Sequence, residues 1–296
     1  MKMYDRLIAV GSVICYNVCA TALSTFGTGG KIDAIAYPSD ATCVMNMTDI
    51  LGDTSYVVLG NGSNTLISDD GVEELVVSLK NLSGHRIEKD GIYVEAGVHN
   101  MALSRLARDN GFKGLEFLSG IPGSVGGSIF MNAGAFGDDI GSHVEYVDIA
   151  RNGKIERISG QNMHFGYRKS DVGNGIIVGA KLRLMSGNPI IISNTIKKYQ
   201  RARRAKQPLE PSLGSVFKRV GDTSAGYYIE RAGLSGYTIG GAKVSEKHAN
   251  FIVNTGSATS SDFMCLAELV ASEVRAQMNI GLIREVRDIG RGSEEI

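Results

Sequence analysis

One stretch limits what this chain can fold into more than any other: Leu115 to Gly137, L-E-F-L-S-G-I-P-G-S-V-G-G-S-I-F-M-N-A-G-A-F-G. Gly120, Gly123, Gly126, Gly127, Gly134 and Gly137 bring no side chain to a core. Glycine belongs where the backbone takes positive φ or approaches another group closely. Successive free N–H groups in such a segment form a concave nest that suits a phosphate or pyrophosphate. A tightly packed irregular loop satisfies the same glycines, so the stretch by itself leaves both readings open. The excess extends beyond it, with 38 glycines in 296 residues against a usual share of about 7%.

A chain of this length has room for two domains, each with a real core. Its 31 basic residues balance its 31 acidic ones, which gives no global attraction to nucleic acid or to a membrane surface. Neither is expected as a partner. The one concentrated basic run is Lys197 to Lys206, K-K-Y-Q-R-A-R-R-A-K. Cys15, Cys19, Cys43 and Cys265 contain no C-x-x-C pair, and their spacing supports neither a zinc site nor a disulfide framework. Reduced thiols in a cytoplasmic protein without a bound metal are the expectation. Lys2 and Arg6 precede an apolar run that imitates a signal peptide, but Ser12, Tyr16 and Asn17 interrupt it. The reading is a folded N-terminal segment. No stretch reaches the roughly 18 to 20 apolar residues of a membrane span.

Patterning predicts strands over Lys31–Pro38, Tyr56–Leu59 and Glu73–Leu79, and a short helix near Met45–Leu51. Asp90-Gly91 joins His85–Lys89 to Ile92–Ala96, and Asn152-Gly153 joins Val144–Ala150 to Ile155–Ile158; both are hairpin signals. His99 to Asn110 carries apolar residues at helical spacing and stops at Gly111. A strand follows over Ile176–Leu184, then a helix from Pro189 to about Lys206, broken by Pro208 and Pro211. Beyond lie a helix over Ser224–Ala232, strands near Tyr237–Val244 and Asn250–Val253, a helix from Ser261 to Met278, and Ile283 to Ile289. This is an α+β chain with its best boundary at the two prolines.

Standard nucleotide and hydrolase motifs are absent. G-N-G-S-N (Gly60 to Asn64) follows a strand, but its next residue is Thr65 and Ile67 to Gly71 is no helix, unlike a Rossmann unit. Gly29-Gly30-Lys31 lacks the outer parts of a P-loop. There is no G-x-S-x-G elbow and no H-E-x-x-H. What survives is two glycine-rich, amide-bearing loops able to offer backbone donors to a pyrophosphate.

A series of segments then occurs in order. G-N-G-S-N is followed by G-L-E-F-L-S-G-I-P-G-S-V-G-G, M-N-A-G-A-F-G, F-G-Y-R-K-S (Phe165 to Ser170) and Gln207-Pro208. After these come G-S-V-F-K (Gly214 to Lys218), A-G-L-S-G-Y-T-I-G-G-A-K-V-S-E-K-H-A-N-F-I-V-N (Ala232 to Asn254) and E-V-R-D-I-G (Glu285 to Gly290). The ordered set, from Ser24 onward, resembles the UDP-N-acetylenolpyruvoylglucosamine reductases. The resemblance implies an FAD-binding portion of the non-Rossmann, PCMH type in two subdomains (1–75 and 76–206), followed by a small α/β substrate-binding domain (207–296). It implies FAD and NADPH as cofactors. The implied substrate is UDP-N-acetylglucosamine enolpyruvate, a small molecule, reduced to UDP-N-acetylmuramate.

By the same resemblance, FAD lies against Gly60, Asn61, Gly62, Ser63 and Asn64, and against Gly120, Ile121, Pro122, Gly123, Gly126, Gly127, Asn132 and Gly134. Hydride addition at C3 of the enolpyruvyl group leaves negative charge over the carboxylate and a proton to be supplied at C2. That chemistry needs an acid, cations and exclusion of water. Ser215 is the implied proton donor. Arg168 is the implied partner of the carboxylate, in fork geometry, and Glu285 polarises the enolpyruvyl group or orients a proton path. Without their motifs these three read as a turn serine, a surface ion pair and a solvated carboxylate. Lys206, Lys218, Lys243 and His248 are weaker candidates for the diphosphate or uridine, since a lysine at a helix end is usually a solvated charge. His99 and His143 read as structural.

The chain departs from the family pattern in places. Gly27 stands where the turn after S-T-F commonly continues with arginine, and Arg219-Val220 stands where Asn-Pro usually follows G-S-V-F-K. No insertion with a substrate-gating tyrosine lies between Leu184 and Pro189, the mark of the shorter type. Two other readings compete: a different flavin oxidoreductase on the same scaffold, and a flavin- or nucleotide-binding homologue without activity.

Overall fold

Antiparallel pairing starts at the Asx-Gly turns. Asn152 and Gly153 both have positive φ, 48° and 71°, as a two-residue type I′ hairpin requires. The strands they join, Val144–Arg151 and Lys154–Ser159, form one side of a five-stranded sheet. Ile176–Arg183 pairs antiparallel with Val144–Arg151 and with Gly91–Glu95, and His85–Glu88 closes the far edge. Ile176–Arg183 is the central strand, and Ile176 to Leu182 are buried without a break, the pattern of a strand covered on both faces. Even Lys181 is only 2% exposed, held by Glu88 at 2.6 Å and Asp90 at 2.9 Å.

The computed structural model describes residues 2–290, and these divide into two units whose segments interleave in sequence. The first unit takes the described part of Met1–Cys15, with Ile35–Asn61 and Leu75–Arg203. It holds the five-stranded sheet and a parallel set in which Leu75–Ser78 lies between Tyr56–Leu59 and Ile35-Ala36. Its helices are α1 (Met3–Ala9), α2 (Ala41–Leu51), α3 (Asn100–Asp109), α4 (Val125–Phe130) and most of α5 (Pro189–Lys206). Asp40 caps α2 by accepting from the Cys43 N–H at 2.8 Å, satisfying one of the orphan donors of the first turn. The α1 helix and the strand Ser12–Cys19 show the N-terminal residues folded.

The second unit takes Tyr16–Ala34, Gly62–Glu74 and the described part of Arg204–Ile296. It holds α6 (Ala225–Arg231), α7 (Ser260–Met278) and a three-stranded antiparallel sheet of Thr238-Ile239, Ala242–Val244 and Ile252–Asn254. Its core joins Phe26, Leu66, Val216, Phe217, Phe263, Leu266 and Val286, with Phe26 edge-on to Phe263 at 5.1 Å. Arg287–Ile289 pairs parallel with Thr65–Ile67. The Asp69 carboxylate accepts the Ser260 and Ser261 N–H groups at 3.0 and 3.1 Å, a favourable place for a negative charge at a helix start. These long-range bonds explain why the contiguous parts 1–75, 76–206 and 207–296 are not how the contacts group. Residues 16–34 and 62–74 find their partners in the C-terminal third.

Within the elements, two differences from the sequence reading stand out. Val125–Phe130, expected as part of a glycine turn, is helical, capped by Ser124. Ile283 to Ile289 yields only a three-residue strand, Arg287–Ile289, with an isolated bridge from Phe217 to Arg284.

Candidate active site

In the first unit the two glycine loops come together. A Cβ on Gly60 would lie 2.8 Å from the Ser124 Oγ. The Asn61 amide is 2.6 Å from the His99 Nδ1, and His99 bridges to Ser124. His99, read as structural, thus ties one loop to the other. Asn100 holds the second loop from beneath. It is fully buried, its N–H donates to the Gly123 carbonyl at 3.1 Å and its side chain donates to the Ile121 carbonyl at 3.3 Å. Ser128 Oγ donates to the Asn100 Oδ1 at 2.9 Å. The N–H groups of Asn61, Gly123 and Ser124 have no acceptor among the described residues. Free donors on a scaffold with Gly60 exposed and Asn61 and Gly123 half-buried fit the pyrophosphate of a dinucleotide.

Other glycines of the stretch have a different physical reason. Gly126 is buried in α4, and a Cβ there would meet the Ala96 Cβ at 2.9 Å, so this glycine sets how closely α4 approaches the sheet. A Cβ on Gly120 would fall 2.3 Å from the Arg203 Cδ. Glycine at 120 leaves room for that arginine's stem. Asn132 is buried at positive φ, with its amide donating to the Gly166 carbonyl at 3.0 Å and accepting from the Gly141 N–H at 3.0 Å. It anchors the turn that carries Arg168.

Arg168 stands in that turn at a φ of 56°. Gly166 and Lys169 bond to each other across it at 2.9 and 3.3 Å. A bulky residue in the left-handed region is uncommon and costs energy, and such strain collects at functional positions. The guanidinium donates to the Gly134 carbonyl at 3.4 Å. Arg203, missed in the sequence, is close enough for the two charges to repel. Burial, and then the Arg168 charge, pulls the Arg203 guanidinium below its ordinary value. Among the described residues no carboxylate pairs with Arg203. Two guanidiniums close enough to repel are a donor set that could bind an anion.

In the second unit the segment that carries Ser215 is bonded through its backbone to the one that carries Glu285. Gly214 turns through a φ of 77° and delivers Ser215 half-buried, with no hydrogen-bond partner for its hydroxyl among the described residues. One residue on, the Val216 carbonyl accepts the Glu285 N–H at 2.7 Å, and the Lys218 N–H donates to the Ile283 carbonyl at 2.8 Å. From the other side Asn250 grips the same segment. Its carbonyl accepts from Val216 at 2.8 Å, and its buried side chain bonds the Phe217 N–H at 3.0 Å and the Phe217 carbonyl at 2.8 Å. Asn64 contributes here as well, its amide donating to the Glu285 carbonyl at 3.1 Å. Gly62 has a φ of 59°, and a Cβ there would meet the Leu23 carbonyl at 2.0 Å. The end of G-N-G-S-N is therefore built to hold the Glu285 segment, with Ser63 half-buried between.

The weaker candidates scatter. Lys206 is exposed at the end of α5. Lys218 is half-buried beside the Ser215 segment. Lys243 is paired with Glu246 at 2.6 Å and borders a cavity of about 570 Å³ with Glu210, Ser245 and Lys247. His248 packs its ring on Phe251 at 4.9 Å, and burial lowers its pKa, which favours the neutral ring. Of the departures, Gly27 has a φ of 80°, where any side chain is strained. Arg219 folds back to the Asp222 carbonyl and closes its own turn.

Comparison with known proteins gives the family. A model for an FAD binding domain matches residues 32–159, and one for the UDP-N-acetylenolpyruvoylglucosamine reductase C-terminal domain matches residues 206–289. The curated UDP-N-acetylenolpyruvoylglucosamine reductase of Limosilactobacillus fermentum is 41% identical over 90% of this chain and 91% of its own length. The chain belongs to the UDP-N-acetylenolpyruvoylglucosamine reductase family. The reductase of Caldanaerobacter subterraneus is 39% identical over 90% of each chain. The solved structure of the Thermus caldophilus reductase superposes with a TM-score of 0.81 at 31% identity, over 94% of this chain and 98% of that one. The reductase fold, α+β with an FAD-binding domain and a family-specific C-terminal domain, is thus the fold of this chain, which is an FAD-dependent oxidoreductase.

Proposed function

We propose that this reductase uses NADPH, through FAD, to reduce the enolpyruvyl group of UDP-N-acetylglucosamine enolpyruvate to UDP-N-acetylmuramate. The names of its relatives support the substrate. The observation that supports the chemistry is the backbone bond from Glu285 to Val216, the residue after Ser215, with the serine hydroxyl left without a partner among the described residues.

The free N–H groups of Asn61, Gly123 and Ser124 are the donors that would hold the FAD pyrophosphate. FAD, when bound, supplies the hydride that reaches C3 of the enolpyruvyl group. Arg168 and Arg203 hold the substrate carboxylate and stabilise the charge that accumulates on it, the larger share of the rate effect in sites of this kind. Ser215 donates its proton to C2. A serine hydroxyl is a very weak acid, and the strong basicity of the substrate anion is what makes the transfer favourable. Glu285, its backbone held by Val216 and Asn64, orients the proton path. Lys218 lies three residues along the same segment and is the nearest in sequence of the four weaker candidates to Ser215.

The test separates two half-reactions. With oxygen excluded, NADPH should bleach the flavin, and added UDP-N-acetylglucosamine enolpyruvate should restore its absorbance. Ser215→Ala should keep the bleaching within about twofold and slow the recovery by at least about a hundredfold. Equal loss in both halves would make Ser215 a structural residue. No recovery in the native enzyme would sink the assignment of substrate.

A further inference from the structure

We propose that the outward face of α5 is a peripheral docking surface for an anionic lipid bilayer. Of the basic run noted in the sequence, the proposed active site uses Arg203, with Lys206 a weaker candidate, and leaves Lys197, Lys198 and Arg201 outside it. Between Leu184 and Leu209 there is no acidic residue, while Lys197, Lys198, Arg201, Arg203, Arg204 and Lys206 are all basic. In a chain whose charges balance overall, that is a strong local concentration.

The helix sorts these residues by face. Ile192 and Ile196 are buried, and Tyr199 and Arg203 turn inward, Tyr199 stacking on Phe136 at 4.0 Å and Arg203 running past Gly120. Residues 190, 191, 194, 197, 198 and 201 recur at the spacing of one helical stripe, and every one of them is exposed. That stripe has two zones. Its first turn presents Ile190 and Ile191, 71% and 64% exposed, with Met185 upstream at 62%. The rest presents Lys197, Lys198 and Arg201. Adjacent isoleucines left in water beside a row of cations match an interface with acyl chains under an anionic headgroup layer. A groove of about 310 Å³ completes the surface, lined by Arg108, Pro189, Ile190, Ser193, Asn194 and Lys197. Its two cations, hydroxyl and amide suit a phosphate headgroup, although Arg108 also pairs with Asp109 at 2.8 Å. No described helix is long and apolar enough to cross a membrane, so the contact proposed is peripheral. A nucleic-acid partner would use the cations but has no use for the isoleucines, and the aromatic ring nearest the stripe, Tyr199, is already stacked inward.

The chain has no tryptophan, so Ile190→Trp reports insertion without background. The full chain carrying it is mixed at low salt with vesicles of phosphatidylglycerol and phosphatidylcholine, with phosphatidylcholine alone, and with duplex DNA. The expected result is a blue-shifted emission and co-sedimentation with the anionic vesicles only, reversed by salt. Lys197→Glu with Lys198→Glu should weaken binding at least about tenfold. Ile190→Ser with Ile191→Ser should weaken it severalfold while reductase turnover stays unchanged. No binding to anionic vesicles, or equal binding to neutral ones, overturns the proposal. So does tighter binding to duplex DNA that ignores the isoleucine changes, which would make the face a polyanion site. Should the tryptophan variant misfold, co-sedimentation of the native chain with the same vesicles decides between these outcomes.

Discussion

Arg203 and Gly120 explain each other. The arginine's stem runs through the space that a side chain at 120 would fill, 2.3 Å from the Cδ. Because the obstructing atom belongs to a flexible chain, Gly120→Ala should fold and move the guanidinium. Removing a charge-assisted hydrogen bond costs about 1.5–3 kcal/mol, so Arg203→Met should lower kcat/KM by about tenfold to a hundredfold. Gly120→Ala should reproduce the direction of that loss with near-native thermal stability. Paired steady-state kinetics and melting curves check both. A collapse in stability would show that Gly120 serves the fold before it serves Arg203. The glycines of this stretch were legible as a group, and their separate tasks were not. A glycine that admits an arginine stem and one that admits a neighbouring Ala96 look alike in one dimension. Arg203 itself was hidden among the basic residues of α5, because periodicity alone could not say which of them faces inward.

Among the elements, the hairpins, the central strand and the long helices were readable because their turn residues and apolar spacing agree. The helix α4 was not, since two successive glycines oppose helix formation and only packing against Ala96 and the sheet recovers the cost. The Ser215 segment was readable as a motif, while its support was not. Asn250 lies 33 positions away in sequence from Phe217 and carries no periodic signal. It clamps the Phe217 peptide from both ends, so Asn250→Leu should leave two buried backbone groups unpaired, at about 1–3 kcal/mol each. Thermal or urea unfolding should show that loss. Flavin reduction by NADPH should persist in the molecules that remain folded, with the second half-reaction slowed. An unchanged second half-reaction would mean that Ser215 does not depend on this clamp.

For the whole molecule, acid is the weak direction. Asp40 and Asp262 are held below their ordinary values, Asp40 first by the Cys43 N–H and Asp262 first by the Thr259 N–H. A carboxylate whose folded pKa is depressed contributes stability above its unfolded pKa and loses it as pH falls. His248 acts in the same sense, because burial keeps its ring neutral when the unfolded ring would take a proton. Stability should therefore begin to fall below about pH 6.5, the ordinary histidine value, and fall further through the carboxylate range. His248→Phe should flatten the first part of the decline and leave the second in place. Urea midpoints measured across this range test it, and an identical slope in the variant would exclude His248 as the cause.

The interleaving of the two units has a consequence for synthesis on the ribosome. The Asn64 side chain waits for the Glu285 carbonyl, 221 positions later, and Asp69 waits for the start of α7, 191 positions later. Loops of that length close slowly compared with local hairpins. The nascent chain can pair His85–Glu88 with Gly91–Glu95 early, but residues 62–74 emerge with their apolar groups unmatched until Ser260 and Glu285 have been made. Completion of the second unit is thus a late event in synthesis, and a chain stalled before Arg287 exposes Leu66 and Ile67 as a sticky edge.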